Sequence, residues 1–186
     1  MTRRLAIVFG SLWLAGALCG CAPQAEPPPL ERFELGGDFQ LVDHRGDDFS
    51  LGQRRGRVML LFFGFTSCAD VCPATLSKLG LVLDRLPAPG AEVLFVSVDP
   101  ARDTPARLAE YVGGYPFPMT GLTGTQAQVA EVARRYAASF APAADGTGAI
   151  DHSTRIYLID GDGQVRFLFS GSDAVDDMVT VIERLL

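Results

Sequence analysis

Three residues of this chain carry side chains that could together hold one soft metal ion. Cys68 and Cys72 lie in the segment FTSCADVCP, and His152 lies much later, in the segment DHS. Two thiolates and one imidazole suit Cu(I), whereas Cu(II) would require further nitrogen or oxygen ligands. Zinc would fit as a three-ligand site with one open position. The two sulfurs alone could instead form a redox pair, so metal binding and thiol exchange are the functions to distinguish.

The spacing of the two cysteines favours metal binding. Three residues separate Cys68 from Cys72, whereas redox motifs of this kind have two. Disulfide sulfurs lie about 2.05 Å apart, but two sulfurs on one metal can lie at up to twice a bond of about 2.3 Å. The extra residue loosens the pair without excluding a disulfide. If both cysteines belong to the first turn of a helix, their side chains share one face. We expect the helix N-terminus to lower both thiol pKa values.

The first twenty residues predict an export signal. A basic start, MTRR, precedes an apolar run over residues 5–18 that is short for a membrane helix, and the run ends in LCGC. This ending resembles a bacterial lipobox with Cys21 as the lipidated residue, although Cys19 stands where Ala or Ser is usual. A retained anchor helix is the alternative. In either case we expect the folded part in the bacterial cell envelope, on the periplasmic face of the membrane.

After removal of the predicted signal, the mature chain would have two free thiols and a more negative net charge. Loss of residues 1–20 and lipidation of Cys21 leave Cys68 and Cys72 as the free thiols. A structural disulfide between them would close too short a loop to stabilise the fold much. The formal net charge changes from 16 − 22 = −6 to 14 − 22 = −8, since the signal contains two arginines and no acid. An acidic surface excludes nucleic acid as a partner.

The remaining sequence predicts a tether and one folded domain. Residues 21–36 contain the run PPP and form a Pro-rich tether, and residues 37–186 form the domain. Alternating patterns predict a β-hairpin over 39–49, and apolar runs predict buried strands over 57–65 and 91–98. Helical patterns begin near Pro73, Pro105 and Thr125. The segments 154–159 and 165–169 are then predicted to form a hairpin, and residues 172–186 a final helix. This order is typical of an α/β thioredoxin-like sandwich with an added N-terminal β-hairpin.

The predicted topology brings the histidine to the cysteines. His152 precedes the strand over 154–159, and in a thioredoxin-like fold the loop entering that strand faces the active-site helix. Asp70 and Asp151 are adjacent to the proposed ligands and could tune them, although solvated loop carboxylates are the alternative. His44 lies in a hairpin turn, and we assign it no role in binding.

A charged cluster follows the second buried strand. Asp99, Arg102 and Asp103 are predicted to cap the next helix and to form local ion pairs rather than to dock a partner. The sequence contains no phosphate loop and no serine triad. Hydrolytic and nucleotide-dependent functions are therefore not indicated.

Four separated motifs resemble those of the SCO/SenC family of copper-binding proteins for cytochrome c oxidase assembly. They are FGFTSCADVCP (63–73), VSVDPARDTP (96–105), GLTG (121–124), and DHS (151–153) with YLID (157–160). The resemblance covers roughly residues 38–186. Ala69 and Gly161 stand where the family often has Pro, and neither is a proposed ligand.

The resemblance implies one copper per chain, Cu(I) or Cu(II), bound by Cys68, Cys72 and His152. It implies a metallochaperone that loads the binuclear copper site of cytochrome c oxidase by thiolate ligand exchange. Its partners would be the copper-accepting oxidase subunit, a periplasmic copper donor, and the membrane through the lipid on Cys21. One alternative is a thiol:disulfide oxidoreductase that reduces the cysteines of the oxidase copper site. A peroxide-consuming thiol enzyme is a third hypothesis.

Overall fold

A computed structural model describes residues 29–88, 90–142 and 150–186, which form nine strands and four helices. The strands are β1 (Gln40–Asp43), β2 (Asp48–Ser50), β3 (Val58–Gly64), β4 (Ala91–Ser97), β5 (Met119–Thr123), β6 (Phe140–Pro142), β7 (Ile150–His152), β8 (Ile156–Ile159) and β9 (Val165–Phe169). The helices are α1 (Val71–Leu83), α2 (Pro105–Gly113), α3 (Gln126–Arg135) and α4 (Val175–Glu183). A short 3₁₀ turn, Leu51–Arg54, follows β2.

Seven strands form one mixed sheet in the order β2-β1-β5-β4-β3-β8-β9. The three central strands, β5, β4 and β3, are parallel, and β8 and β9 continue the sheet in antiparallel fashion. The hairpin of β1 and β2 adds to the other edge through an antiparallel pair with β5. Strands β6 and β7 form a separate two-stranded sheet. The predicted α/β sandwich with an added N-terminal hairpin is therefore confirmed.

Helices cover both faces of the main sheet, which explains the continuous apolar runs of β3 and β4. Both strands are buried at every position. In β3, Leu60 and Phe62 pack on the face covered by α1, α2 and α4, while Met59, Leu61 and Phe63 pack on the face covered by α3. Because successive side chains point to opposite faces, a strand between two layers must be apolar throughout.

The structure contains elements that the sequence patterns did not predict. Strand β5, with the sequence MTGLT, lacks a long apolar run, yet it is buried at all five positions because β4 and β1 pair with it on either side. The β6–β7 pair was also not predicted. Helix α1 begins at Val71, so Cys68 lies in the preceding loop and only Cys72 belongs to the first helical turn.

The described chain begins within the predicted tether. The predicted signal over residues 1–20, the lipidation site Cys21 and residues 22–28 lie outside the described residues. Phe33 donates its backbone N–H to the carbonyl of Val165 (3.1 Å), and Leu30 packs against the apolar core. In the described parts of the chain, no helix has the length and apolar character needed to cross a membrane.

The predicted turn between β8 and β9 is organised by one carboxylate. Asp160 Oδ1 accepts the backbone N–H groups of Asp162 (3.0 Å) and Gln164 (2.9 Å), and Oδ2 accepts Arg166 Nη1 (2.9 Å). Burial alone raises the pKa of Asp160, but these hydrogen bonds and the charge of Arg166 outweigh it and hold the pKa below its ordinary 3.8. The turn therefore depends on the ionised carboxylate.

We expect Asp160→Asn to destabilise the protein by about 1–3 kcal/mol near neutral pH, because the amide accepts fewer of these bonds. A lowered folded-state pKa contributes stability above the unfolded pKa of 3.8, and that contribution disappears as the pH falls through the folded-state value. Urea unfolding of both proteins at neutral and acidic pH measures the effect, with Asp162→Asn, an exposed position in the same turn, as control. A stability difference that stays constant down to about pH 2 would contradict the assignment.

Candidate metal centre

The two cysteines lie where β3 passes into α1. Cys68 is in the connecting loop, where its backbone N–H donates to the carbonyl of Phe65 (3.2 Å), and Cys72 is the second residue of α1. Pro73 lies in the first turn of the helix, as predicted, and this turn tolerates a residue without an N–H. The central strand β3 thus delivers both sulfurs to one end of the sheet.

The structure brings the three predicted ligands together. One donor atom each from Cys68, Cys72 and His152 lies within 4.8 Å of the other two, and Cys72 Sγ is 3.5 Å from His152 Nε2. Both cysteines are free thiols. Two sulfurs bound to one ion lie at most about 4.6 Å apart, so a small closure of the group is sufficient for coordination.

The two thiols differ in exposure. Cys68 is half-buried, whereas Cys72 is fully buried. Burial raises the pKa of the Cys72 thiol to about 12, and a hydrogen bond from the backbone of Phe65 lowers it too little to compensate. The expectation that the helix N-terminus lowers both thiol pKa values is therefore wrong for Cys72, because loss of solvent outweighs the helix dipole.

The sulfur of Cys68 takes the position of a helix cap. Asp70, at the N-cap position of α1, makes no side-chain hydrogen bond to the helix. Instead, the backbone N–H of Cys72 donates to Cys68 Sγ (3.4 Å). This N–H is one of the unpaired donors of the first helical turn, where negative charge is favoured. The half-buried sulfur is therefore also the one held by the helix N-terminus.

His152 presents a defined nitrogen to the sulfurs. It ends β7 and pairs with Phe140 in the small two-stranded sheet. Its Nδ1 lies 3.0 Å from the carbonyl oxygen of Ser153. Because a carbonyl only accepts hydrogen bonds, Nδ1 carries a proton, and in the neutral ring the lone pair is then on Nε2, which faces Cys72. This is the tautomer that a metal ligand requires.

Aromatic rings surround the imidazole. Phe62 and Phe65 contact it edge-on, with ring centroids 6.0 Å and 5.7 Å from that of His152. Both phenylalanines are buried. They restrict the ring orientation and exclude water from one side of the donor group, which favours the low coordination number typical of Cu(I).

Asp103 is a site residue whose role the sequence reasoning missed. It was predicted to cap the next helix, but Thr104 is the cap, since its side chain accepts the N–H of Arg107. Asp103 is 1% exposed and accepts hydrogen bonds from Thr66 N (2.9 Å), Thr66 Oγ1 (2.6 Å) and Ser97 Oγ (2.6 Å). It thereby ties the end of β4 to the loop that carries Cys68. The parallel pairing of β3 with β4 could have indicated this contact, because both strands end at the same edge.

The remaining predicted residues do not belong to this group of three donors. Asp99 and Arg102 form the predicted ion pair. Asp70 is exposed, and the side chain of Asp151 lies outside the described part of the structure. His44 Nδ1 accepts the backbone N–H of Gly121 (3.2 Å), which links the β1–β2 turn to β5 and gives this histidine a structural partner.

The chain is similar to known proteins over most of its length. The SCO1/SenC family model matches residues 27–186. A mitochondrial SCO2 homolog of Bos taurus is 38% identical over 155 residues, which cover 80% of this chain and 58% of that protein. This chain therefore spans less than two thirds of the length of that relative.

Solved structures match the domain more fully. Copper-bound ScoI of Bradyrhizobium japonicum superposes with a TM-score of 0.72 and 35% identity, covering 82% of this chain and 99% of that one. BsSco, described as having a disulfide switch and as a member of the Sco family of cytochrome c oxidase assembly proteins, gives a TM-score of 0.69 and 25% identity. That match covers 87% of this chain and 98% of BsSco.

We expect Asp103→Asn to destabilise the protein by about 3 kcal/mol, because an amide cannot accept all three hydrogen bonds and turns an N–H toward a donor. Urea unfolding measures the free energy, and hydrogen exchange should show loss of protection at the Thr66 amide. Asp70→Asn, an exposed change in the same loop, should alter stability by less than about 0.5 kcal/mol. Unchanged protection of Thr66 in Asp103→Asn would show that the carboxylate does not hold this loop.

Proposed function

The chain belongs to the SCO1/SenC family, and on that premise we propose that it is a copper metallochaperone for cytochrome c oxidase. It binds one copper ion through Cys68, Cys72 and His152 and passes it to the binuclear copper site of the oxidase. The observation that carries this proposal is that two thiol sulfurs and one imidazole nitrogen lie within 4.8 Å of one another. Two soft sulfurs and one imidazole are a donor set that suits Cu(I).

The unequal exposure of the thiols supports an order of ligand exchange. Cys68 is accessible, so copper arrives there and an incoming thiolate of the acceptor replaces Cys68 first. Cys72 and His152 then release the ion. Because Cys72 is protonated in the metal-free protein, binding replaces its S–H bond by an S–Cu bond and releases the proton, and transfer of copper to the acceptor restores the thiol.

The second candidate function is thiol:disulfide exchange on the cysteines of the oxidase copper site. The two free thiols within 4.8 Å support it, and the related BsSco is described as having a disulfide switch. In this function Cys68 is the attacking thiol because it is accessible, and Cys72 is the resolving thiol. The position of His152 favours copper delivery, since its ring nitrogen lies within 4.8 Å of both sulfurs and can bind the same ion as they do.

We propose that the domain works in the bacterial cell envelope, on the periplasmic face, held through a lipid on Cys21. The support is the sequence: a basic start, a short apolar run and the LCGC ending precede the Pro-rich segment. The acidic domain would receive copper from a periplasmic donor and meet the copper-accepting subunit of the oxidase at the membrane.

The copper site can be tested by removing its nitrogen ligand. We expect His152→Ala to lower Cu(I) affinity by about 10- to 100-fold or more, since loss of even a supporting partner of a ligand has effects of this size. His44→Ala, which removes the other histidine of the chain, should bind copper as the unaltered protein does. Chelator competition under anaerobic conditions measures both. Equal affinity in His152→Ala and the unaltered protein would remove the imidazole from the site and favour thiol exchange.

The pH dependence of copper binding tests the role of Cys72. With a pKa of about 12, its thiol is protonated throughout the neutral range, so Cu(I) binding must displace this proton. Apparent affinity should rise by at least about tenfold per pH unit around neutrality, after correction for the competing chelator. An affinity independent of pH would show that the buried sulfur does not bind the ion.

A further inference from the structure

The last residue of β3 is a glycine in contact with the metal site. A Cβ atom at Gly64 would lie 2.8 Å from Cys72 Sγ and 2.7 Å from Phe95 Cε2. Real Cβ atoms do not approach other atoms so closely, and a third neighbour, Phe62 Cε1, lies at 3.1 Å. The φ angle of Gly64 is not positive, so any residue could adopt this backbone conformation. Glycine is therefore needed here for space alone.

The atoms around Gly64 have little freedom to move away. Its backbone is paired with Ser97 of β4, and its carbonyl accepts the N–H of Val98 (2.8 Å). Phe95 is fully buried between Phe62 and Tyr111, whose ring centroids lie 6.2 Å and 5.3 Å from its own. Close packing of this kind resists the addition of even one methyl group.

The sulfur of Cys72 is the neighbour that would be displaced. It is smaller than the packed rings, and it can move by rotating about χ1. To reach an ordinary contact of 3.4 Å from the present 2.8 Å, it must move by at least 0.6 Å relative to the new methyl group. Its position relative to His152 Nε2, now 3.5 Å away, would change with it. Metal–ligand bond lengths vary by only about 0.2 Å, so a displaced sulfur could bind the ion only if the other ligands moved with it.

We propose that Gly64 is a positioning residue for copper binding: the absence of a side chain leaves the space in which the Cys72 sulfur faces His152. The inference deepens the proposed function and rests on it, because the sulfur position matters for function only if Cys72 binds copper. Gly64 itself contacts no metal. It acts by setting where the buried sulfur lies.

The test compares Gly64→Ala with Gly113→Ala in the full chain. Gly113 ends α2, and a Cβ there would meet no atom within 4 Å, so the same chemical change occurs without a clash. We expect Gly64→Ala to lower Cu(I) affinity at least tenfold in chelator competition and to shift the thiolate-to-copper absorption band of the Cu(II) form. Gly113→Ala should leave both unchanged. Affinity within twofold of the unaltered protein, with the same band, would overturn the proposal.

A second variant covers the case in which Gly64→Ala does not fold. Gly64→Ala combined with Phe95→Leu removes the contact with the ring but keeps the contact with Cys72 Sγ. We expect this double variant to fold and still to show the tenfold loss of Cu(I) affinity relative to Phe95→Leu alone. Restoration of copper binding together with folding would assign the effect to Phe95 and overturn the role of the sulfur.

A measurement without metal separates this inference from the proposed function. In a double-mutant cycle followed by thermal unfolding, Gly64→Ala should lower Tm less in a Cys72→Ala background than in the unaltered protein, because the sulfur is then absent. The contact of the new methyl group with Phe95 is present in both backgrounds, so its effect on Tm cancels when the two changes in Tm are compared. An equal loss of Tm in both backgrounds would overturn the inference. If the unaltered protein binds no copper, the proposed function fails, while this cycle still decides whether Gly64 positions the sulfur.

Discussion

The pairing of β3 with its two neighbours is the constraint on which the metal centre depends. Parallel pairing with β4 places the carboxyl ends of both strands at the same end of the sheet. There Asp103 joins the loops that follow the two strands. Antiparallel pairing with β8 places Ile156 opposite Phe62, so the chain entering β8 arrives at the same edge. His152 precedes Ile156 by four residues and therefore meets sulfurs that are distant in sequence.

The two thiols differ in exposure and in the groups that contact them. The sulfur of Cys68 remains half-buried and receives an N–H from the helix start, whereas Cys72 has lost its solvent and keeps its proton. Phe62 and Phe65 extend the apolar surroundings to the imidazole. Such a site holds few ligands and little water, which suits Cu(I), and it presents one accessible sulfur through which the ion can be exchanged.

Strong sequence patterns predicted the elements that carry the site, and weak ones did not. The apolar runs of β3 and β4 predicted strands clearly because both faces of a central strand are buried. The turn at Asp160 was also clear, because Asp and Gly are typical turn residues. β5 was missed because pairing on both sides, rather than its own composition, makes it a strand. The pKa of Cys72 and the hydrogen bonds of Asp103 depend on three-dimensional packing, which spacing along the chain does not reveal.

The central claim is that one imidazole and two thiolates bind the same copper ion. X-ray absorption at the copper edge of the reduced, copper-loaded chain tests it most directly, because it counts sulfur and nitrogen neighbours. The account predicts two sulfur neighbours and one nitrogen neighbour of the same copper ion. A spectrum with sulfur neighbours alone, or with a single sulfur, would contradict it.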